Sequence, residues 1–122
     1  MTTTDSKAIC KRGDVVLVLF PDSNLRTAKR RPALVVQRDN LQTGLSQVIV
    51  AMITSNLNRA NHPCRVTVAH ATPQGQQAGL LSDSVIMTDN LATVLEPAID
   101  RVIGALSMID VNAALEYTLG LK

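Results

Sequence analysis

The chain has 122 residues, of which 46% are apolar, so it can bury the core of one folded domain and is not a disordered tail. Its net charge of +2 excludes a strongly basic domain, and no apolar run approaches the ~20 residues of a membrane span. Phe20 and Tyr117 are the only aromatic residues, which argues against binding of single-stranded nucleic acid through base stacking.

The N-terminal segment is polar and rich in threonine, so we expect a flexible tail at residues 1–9 and a single domain at residues 10–122. Because the segment has no hydrophobic signal stretch, we expect a cytoplasmic protein that does not engage a membrane. Cys10 and Cys64 lack the spacing of metal ligands. Thiols in a reducing cytosol are the favoured interpretation and a disulfide is the alternative. We expect no metal and no other cofactor.

Short apolar runs follow one another along the chain, separated by turn residues, and each has the length and composition of a β-strand. The predicted strands are residues 14–20, 32–37, 47–54, 64–70, 84–88 and 100–106. No helix of ordinary length fits between consecutive strands, which argues against βαβ units. The sequence therefore predicts a mainly β fold, with an antiparallel sheet curled into a small barrel.

One helix is predicted, at the C-terminal end. Ser107 is placed to cap it, and Asp110, three residues later, is a weak analogue of a capping box. The apolar face of this helix comprises Met108, Val111, Leu115 and Leu119. Gly120 ends the pattern. The apolar face must be buried against the barrel or against a second subunit.

Positive charge is concentrated on either side of the second predicted strand. The cations of this segment are Arg26, Lys29, Arg30, Arg31 and Arg38. Consecutive cations repel one another, so their crowding indicates a site for an anion or an acidic partner, with a solvated loop end as the alternative. We expect a groove that binds the backbone of a polyanion, formed by Arg26, Lys29, Arg30 and Arg59.

The second and third predicted strands read as a hairpin around the turn sequence RDNLQTGLS. A symmetric hairpin centred between Gln42 and Thr43 places Arg31 opposite Thr54. Directly opposed residues project to the same face, so a guanidinium and a hydroxyl would converge at the barrel rim and could hold a phosphate. A bulge at Pro32 would shift this register and turn the pair apart.

Five stretches in chain order carry a resemblance to a known family: KRGDVVLVLFP (11–21), RRPALVVQRDN (30–40), VIVAMITSN (48–56), GLLSDSVIMTDNLATV (79–94) and IDRVIGALS (99–107). Together they resemble the MazF/PemK family of endoribonuclease toxins from type II toxin–antitoxin systems. The resemblance implies an SH3-like antiparallel barrel with a terminal helix, a homodimer, and an antitoxin protein as partner. It also implies metal-independent, sequence-specific cleavage of single-stranded RNA such as mRNA, leaving 2′,3′-cyclic phosphate and 5′-hydroxyl ends.

The resemblance also implies site residues, and it makes RNA the polyanion expected in the groove of Arg26, Lys29, Arg30 and Arg59. The family's catalytic pair is the arginine of an R-P motif and the threonine of an I-T-S motif, which fall on Arg31 and Thr54. Some members use an acid in the segment that reads MTDN here, which falls on Asp89. Met87 stands where some members carry an arginine. The loop at 22–30 also differs from the family, so no sequence preference is transferred.

Each of these site residues has a structural alternative. Arg31 can be an ordinary charge before a proline, Thr54 a strand-end threonine, and Asp89 part of a turn. His62 and His70 carry imidazoles suited to acid–base chemistry, but surface or hydrogen-bonded histidines are the favoured interpretation.

Two rival functions remain open at this point. Gyrase-binding toxins that resemble CcdB share the barrel, and a catalytically inactive relative would only bind antitoxin. CcdB-like toxins end in a tripeptide with an indole, whereas this chain ends in GLK and has no tryptophan. The endoribonuclease interpretation is therefore favoured.

Overall fold

The computed structural model describes residues 10–21, 24 and 26–122, so the predicted tail at residues 1–9 lies outside the described residues. The strands are β1 (Asp14–Pro21), β2 (Ala28–Val35), β3 (Gln47–Thr54), β4 (Arg65–Val68), β5 (Ser84–Leu95) and β6 (Ile99–Ala105). The helices are α1 (Pro73–Ala78) and α2 (Ile109–Leu119), with 3-10 turns at Leu57–Arg59 and Glu96–Ala98. The predicted mainly β fold with a C-terminal helix is confirmed.

The strands form one antiparallel sheet in the order β4–β5–β3–β2–β1–β6. In this order β4 and β6 are edges, so strand pairing does not close the predicted barrel. Instead, α1 follows β4 and contacts β6. The approach is close, because a Cβ atom on Gly104 would collide with the backbone of Ala78. A short helix therefore lies where a closed barrel would have a strand pair.

Helix α1 is the element that the sequence prediction missed. Thr72 accepts a hydrogen bond at Oγ1 from the Gly75 amide at 3.1 Å, and Pro73 occupies the first turn. Gly79 ends the helix in the left-handed conformation with φ 72°. These are ordinary start and stop signals, but the helix has only six residues and no apolar periodicity.

Both faces of the central strands are buried. Leu34 belongs to one hydrophobic cluster, while its neighbours Ala33 and Val35 belong to another. Since successive side chains of a strand point to opposite faces, the sheet carries a cluster on each face. This explains why the sequence shows continuous apolar runs and not an alternating pattern.

Helix α2 covers the cluster that contains Leu34. Val111 and Leu115 are buried there, as predicted, whereas Leu119 is 56% exposed and is not part of that cluster. Leu119 lies in the last turn of α2 and lines a surface groove. The helix ends before Gly120 as predicted, and Ser107 Oγ accepts only a long hydrogen bond of 3.4 Å from the Ile109 amide.

Two strands differ from their predicted bounds by more than two residues. β2 begins at Ala28, and its exposed first residues pair with β1, so the basic segment predicted as a loop is largely strand. β5 continues to Leu95 through a register shift: Met87 pairs with Met52, but Leu91 pairs with Ala51. Residues 88–90 therefore form a bulge, which an apolar pattern cannot reveal.

The close packing of α1 on β6 predicts that one methyl group added at Gly104 will destabilise the protein. Gly104→Ala should lower the free energy of unfolding by about 2 kcal/mol, because the new Cβ would meet the backbone of Gln77 and Ala78. Gly44→Ala is the control: its Cβ would meet nothing within 4 Å, so only the left-handed conformation costs about 1 kcal/mol. Urea denaturation measures both. Wild-type stability for Gly104→Ala would contradict this packing.

Candidate active site

The β2–β3 hairpin has the predicted register. Ala33 pairs with Met52, and Leu34 pairs with Ala51. Arg31 and Thr54 lie two residues further outward on their strands, beyond the last recorded pair. The pairing of β2 with β1 runs past Pro32 without a shift in register. Both Arg31 and Thr54 line the same cavity, so the structure brings them together.

This basic cavity has a volume of about 810 Å³ and opens between the outer ends of β2 and β3, the loop after α1, and β6. Its cationic lining consists of Arg30, Arg31, Arg59 and Arg101. Its neutral hydrogen-bonding side chains are Thr54, Ser55, Ser82, Ser84 and Asn90. Among the described residues that line it, none is an aspartate, a glutamate or a histidine. Several guanidinium groups without a lining carboxylate attract anions, and a guanidinium matches the geometry of phosphate oxygens.

The arginines of the basic cavity differ in their partners. Arg30 Nε forms an ion pair with Asp100 Oδ2 at 3.0 Å. Arg31 is exposed, and none of the ion pairs among the described residues involves it. The charge of Arg31 is therefore available to an incoming anion.

Thr54 is oriented by the turn that follows it. Its Oγ1 accepts a hydrogen bond from the Asn56 amide at 3.1 Å. This bond uses one of the two oxygen lone pairs, and the hydroxyl hydrogen remains available to donate. A half-buried hydroxyl donor beside Arg31 is suited to binding a phosphate oxygen.

Asp89 does not line the basic cavity, although Met87 and Asn90 do. It lies in the bulge of β5, and its carboxylate accepts two hydrogen bonds from Arg65: Nε to Oδ1 at 2.8 Å and Nη2 to Oδ2 at 2.6 Å. These bonds lower the pKa of Asp89 to about 2. The structure thus does not place this predicted catalytic residue with Arg31, and its catalytic role stays a prediction.

The predicted RNA-binding residues separate into two groups. Arg30 and Arg59 line the basic cavity, whereas Arg26 and Lys29 are exposed outside its lining. The sequence analysis did not identify Arg101 as a residue of the site, because its position depends on the pairing of β6 with β1, where it lies opposite Leu17. That long-range pairing leaves no local signal in the sequence.

Both histidines lie outside the lining of the basic cavity and have protein partners. His62 Nδ1 accepts a hydrogen bond from the Cys64 amide at 3.2 Å. His70 Nδ1 lies 3.0 Å from Asp83 Oδ1. This agrees with the interpretation of hydrogen-bonded histidines.

Three further findings concern metals, disulfides and membranes. Within residues 10–21, 24 and 26–122, no group of three or more His, Cys, Asp or Glu side chains is placed to hold a metal ion. Cys10 and Cys64 are not joined by a disulfide, so that alternative is wrong. None of the helices in the same residues is long and apolar enough to cross a membrane.

Comparison with known proteins identifies the family. An endoribonuclease MazF from Staphylococcus epidermidis is 32% identical over 116 residues, covering 92% of this chain and 92% of that protein. An endoribonuclease solved in complex with its cognate antitoxin, from a mycobacterial species, shares the fold with a TM-score of 0.69 at 22% identity, covering 93% of this chain and 97% of that one. MazF in a MazE–MazF structure from Deinococcus radiodurans gives a TM-score of 0.67 at 18% identity, covering 92% and 96%. The profile of PemK-like, MazF-like toxins of type II toxin–antitoxin systems matches residues 11–119, and the chain belongs to this family.

Proposed function

We propose that this protein is the toxin of a type II toxin–antitoxin system and acts as an endoribonuclease on single-stranded RNA. The observation that carries the proposal is the basic cavity, whose lining includes both Arg31 and Thr54 among further arginines. The Staphylococcus epidermidis relative is named an endoribonuclease, which supports the same activity. The cytoplasm, where mRNA is translated, is the proposed site of action.

RNA carries its own nucleophile, so the protein needs to supply little covalent chemistry. The 2′-oxygen attacks the adjacent phosphorus, the bond from phosphorus to the 5′-oxygen breaks, and the products end in a 2′,3′-cyclic phosphate and a 5′-hydroxyl. The 2′-hydroxyl loses a proton and the 5′-oxygen gains one. Holding the attacking and leaving oxygens in line, and stabilising the charge on the phosphate, provides most of the rate enhancement.

Arg31 and Thr54 are the proposed catalytic residues. The guanidinium of Arg31 binds two oxygens of the phosphorane as negative charge grows on them. Thr54 donates its hydroxyl hydrogen to the same phosphate and fixes its orientation. Because arginine stays protonated in proteins, Arg31 does not take the 2′-proton. The cavity lining holds no other acid or base among the described residues, so water carries both protons.

The other cations extend the binding surface for RNA. Arg30, Arg59 and Arg101 line the basic cavity, and in this proposal they bind the phosphates on either side of the cleaved one. Lys29 and Arg26 continue the positive surface along β2 and the residues before it. An acidic, extended segment of the antitoxin would compete with RNA for these charges. The mycobacterial relative was solved with its cognate antitoxin, which supports such a partner.

We also propose a homodimer. An apolar groove of about 560 Å³ lies between the end of α2 and the β2–β3 hairpin. Its exposed leucines are Leu41, Leu91, Leu119 and Leu121. The rim carries both signs of charge, with Arg12, Arg38 and Glu116. A two-fold interface must be complementary to itself, and a groove with both charges around an apolar centre meets that condition.

The proposed chemistry predicts RNA cleavage without a metal ion. Purified protein incubated with a long RNA in excess EDTA should yield fragments whose 5′ ends accept phosphate from polynucleotide kinase without prior phosphatase treatment. DNA of the same sequence should bind but stay intact, because it lacks the 2′-hydroxyl. The Arg31→Lys protein, purified identically, controls for contaminating ribonuclease. Activity that disappears in EDTA and returns with Mg²⁺ would contradict the proposed chemistry.

The catalytic pair predicts specific losses of rate. Arg31→Lys keeps the charge but loses the planar fork, so it should lose most activity while RNA binding stays near wild type. Thr54→Val keeps the shape and should lower kcat on the order of 10²-fold. The double variant should be little worse than the poorer single one, since both groups act on one phosphate.

Thr93→Val is the matched control for Thr54→Val, because Thr93 is an exposed strand threonine outside the basic cavity. Its cleavage rate should equal that of wild type. A folded Arg31→Lys protein that cleaves at the wild-type rate would exclude Arg31 as a catalytic residue.

The apolar groove predicts the assembly state. Wild type should sediment as a dimer at micromolar concentration, and Leu119→Glu should sediment as a folded monomer because it places a charge in the apolar centre of the interface. Thr93→Val again serves as the control and should remain dimeric. A monomeric wild type would contradict the homodimer, and a dimeric Leu119→Glu variant would place the interface elsewhere.

A further inference from the structure

Arg65 connects two segments that both reach the basic cavity. Besides its two bonds to Asp89, its Nη1 donates a hydrogen bond to the carbonyl oxygen of Arg59 at 2.7 Å. Arg59 ends the 3-10 turn after β3 and lines the cavity. Asp89 lies in the bulge of β5, next to Asn90, which also lines the cavity. One guanidinium therefore ties the Arg59 turn to the Asn90 bulge.

The bulge is also anchored from the inside. Thr88 is fully buried, and its Oγ1 donates to the Cys64 carbonyl at 2.7 Å. The same Oγ1 lies 2.8 Å from Thr118 Oγ1 on α2. The amide of Thr88 donates to the Cys64 carbonyl as well, at 3.1 Å. The bulge is thus held to the residue before β4 and to α2, while Asp89 on its outer side holds Arg65.

Arg65 and Asp89 are both charged at the near-neutral pH at which RNA would be cleaved. Hydrogen bonding to Arg65 lowers the pKa of Asp89 from 3.8 to about 2, and hydrogen bonding to Asp89 raises the pKa of Arg65. A carboxylate whose pKa is lowered on folding stabilises the protein above its ordinary pKa, and this contribution is lost as the pH falls from about 4 toward 2. Near neutral pH, Asp89 therefore has no proton to give and little tendency to accept one.

We propose that Asp89 and Arg65 are positioning residues, which fix the Arg59 turn and the Asn90 bulge beside the catalytic pair. Asp89 transfers no proton in this role, which differs from the role that the family resemblance implies for it. The proposal rests on the ribonuclease function proposed above. Its consequence is that the cavity holds Arg59 in place before RNA arrives, so little ordering is needed on binding.

The first test compares Asp89→Asn with Arg65→Gln. Each should lower kcat/KM on the order of tenfold, as expected for loss of one charge-assisted contact to RNA, and the double variant should be no worse than either single one. The loss should fall mainly on KM. The shape of the pH–rate profile should be that of wild type in both, because neither residue titrates in the reaction.

The second measurement follows binding of an RNA made uncleavable by a 2′-deoxy sugar at the scissile position. The slope of log affinity against log salt should fall by about 0.7 in each variant, the value for one phosphate contact to a single strand. In an Arg59→Gln background, Asp89→Asn should cause no further change in slope, because the contact it positions is already gone. If Asp89→Asn acted only by destabilising the whole protein, its effect would be the same with or without Arg59.

Asp110→Asn is the control for net charge. Asp110 lies in the first turn of α2, forms no ion pair among the described residues, and lines neither cavity. Asp110→Asn changes the net charge by the same amount as Asp89→Asn. It should leave kcat/KM, and the slope of log affinity against log salt, at their wild-type values.

Amide hydrogen exchange separates this proposal from the proposed function, since it needs no RNA. The amides of Arg59 and Ala60 are bonded within the 3-10 turn, both at 3.1 Å. They should exchange faster in Asp89→Asn and Arg65→Gln, while the amides of β3 stay protected. If wild type cleaves no RNA but this exchange pattern holds, the ribonuclease function fails and the fixing of the turn stands.

Two results would overturn the proposal. One is that Asp89→Asn changes the shape of the pH–rate profile, which would make Asp89 an acid or a base in the reaction. The other is that Arg65→Gln retains the wild-type kcat/KM, salt slope and amide exchange, which would leave Arg65 without a positioning role.

Discussion

The register of β2 between its two neighbours is the constraint on which both the core and the basic cavity depend. Arg31 is paired with Val18 of β1, and two residues later Ala33 is paired with both β1 and β3. A slip by one residue would turn every side chain of β2 to the opposite face, moving Leu34 out of its cluster and Arg31 away from Thr54. Burial on both faces of β2 therefore fixes the position of an exposed arginine that itself contributes little to stability.

This dependence explains what could be predicted from the sequence. The hairpin is local and nearly symmetric, so its register, and with it the convergence of Arg31 and Thr54, followed from the position of the turn. Arg101 joins them only because β6 pairs with β1 from the far end of the chain. The bulge of β5 and the ion pair of Asp89 likewise could not be predicted from the sequence, because they depend on contacts with β4 and α2 that leave no local pattern.

The carboxylates near the basic cavity neutralise some arginines and not others. Asp89 is bonded to Arg65, and Asp100 is bonded to Arg30. Arg31 has no such partner among the described residues. The first two arginines thus have orientations set by the fold, whereas the charge of Arg31 is balanced only when an anion arrives.

The incomplete closure of the sheet leaves room for α1, and the loop that follows α1 lines the basic cavity. Pairing of β4 with β6 would bring two edge strands about 4.8 Å apart and would leave no room between them. Instead α1 packs on β6, and the loop after it, with Leu81 94% exposed, forms one wall of the cavity. Arg101 and Ile103 of β6 line it from the other side. The short helix that the apolar pattern did not reveal therefore packs on β6 and leads directly into the loop that forms this wall.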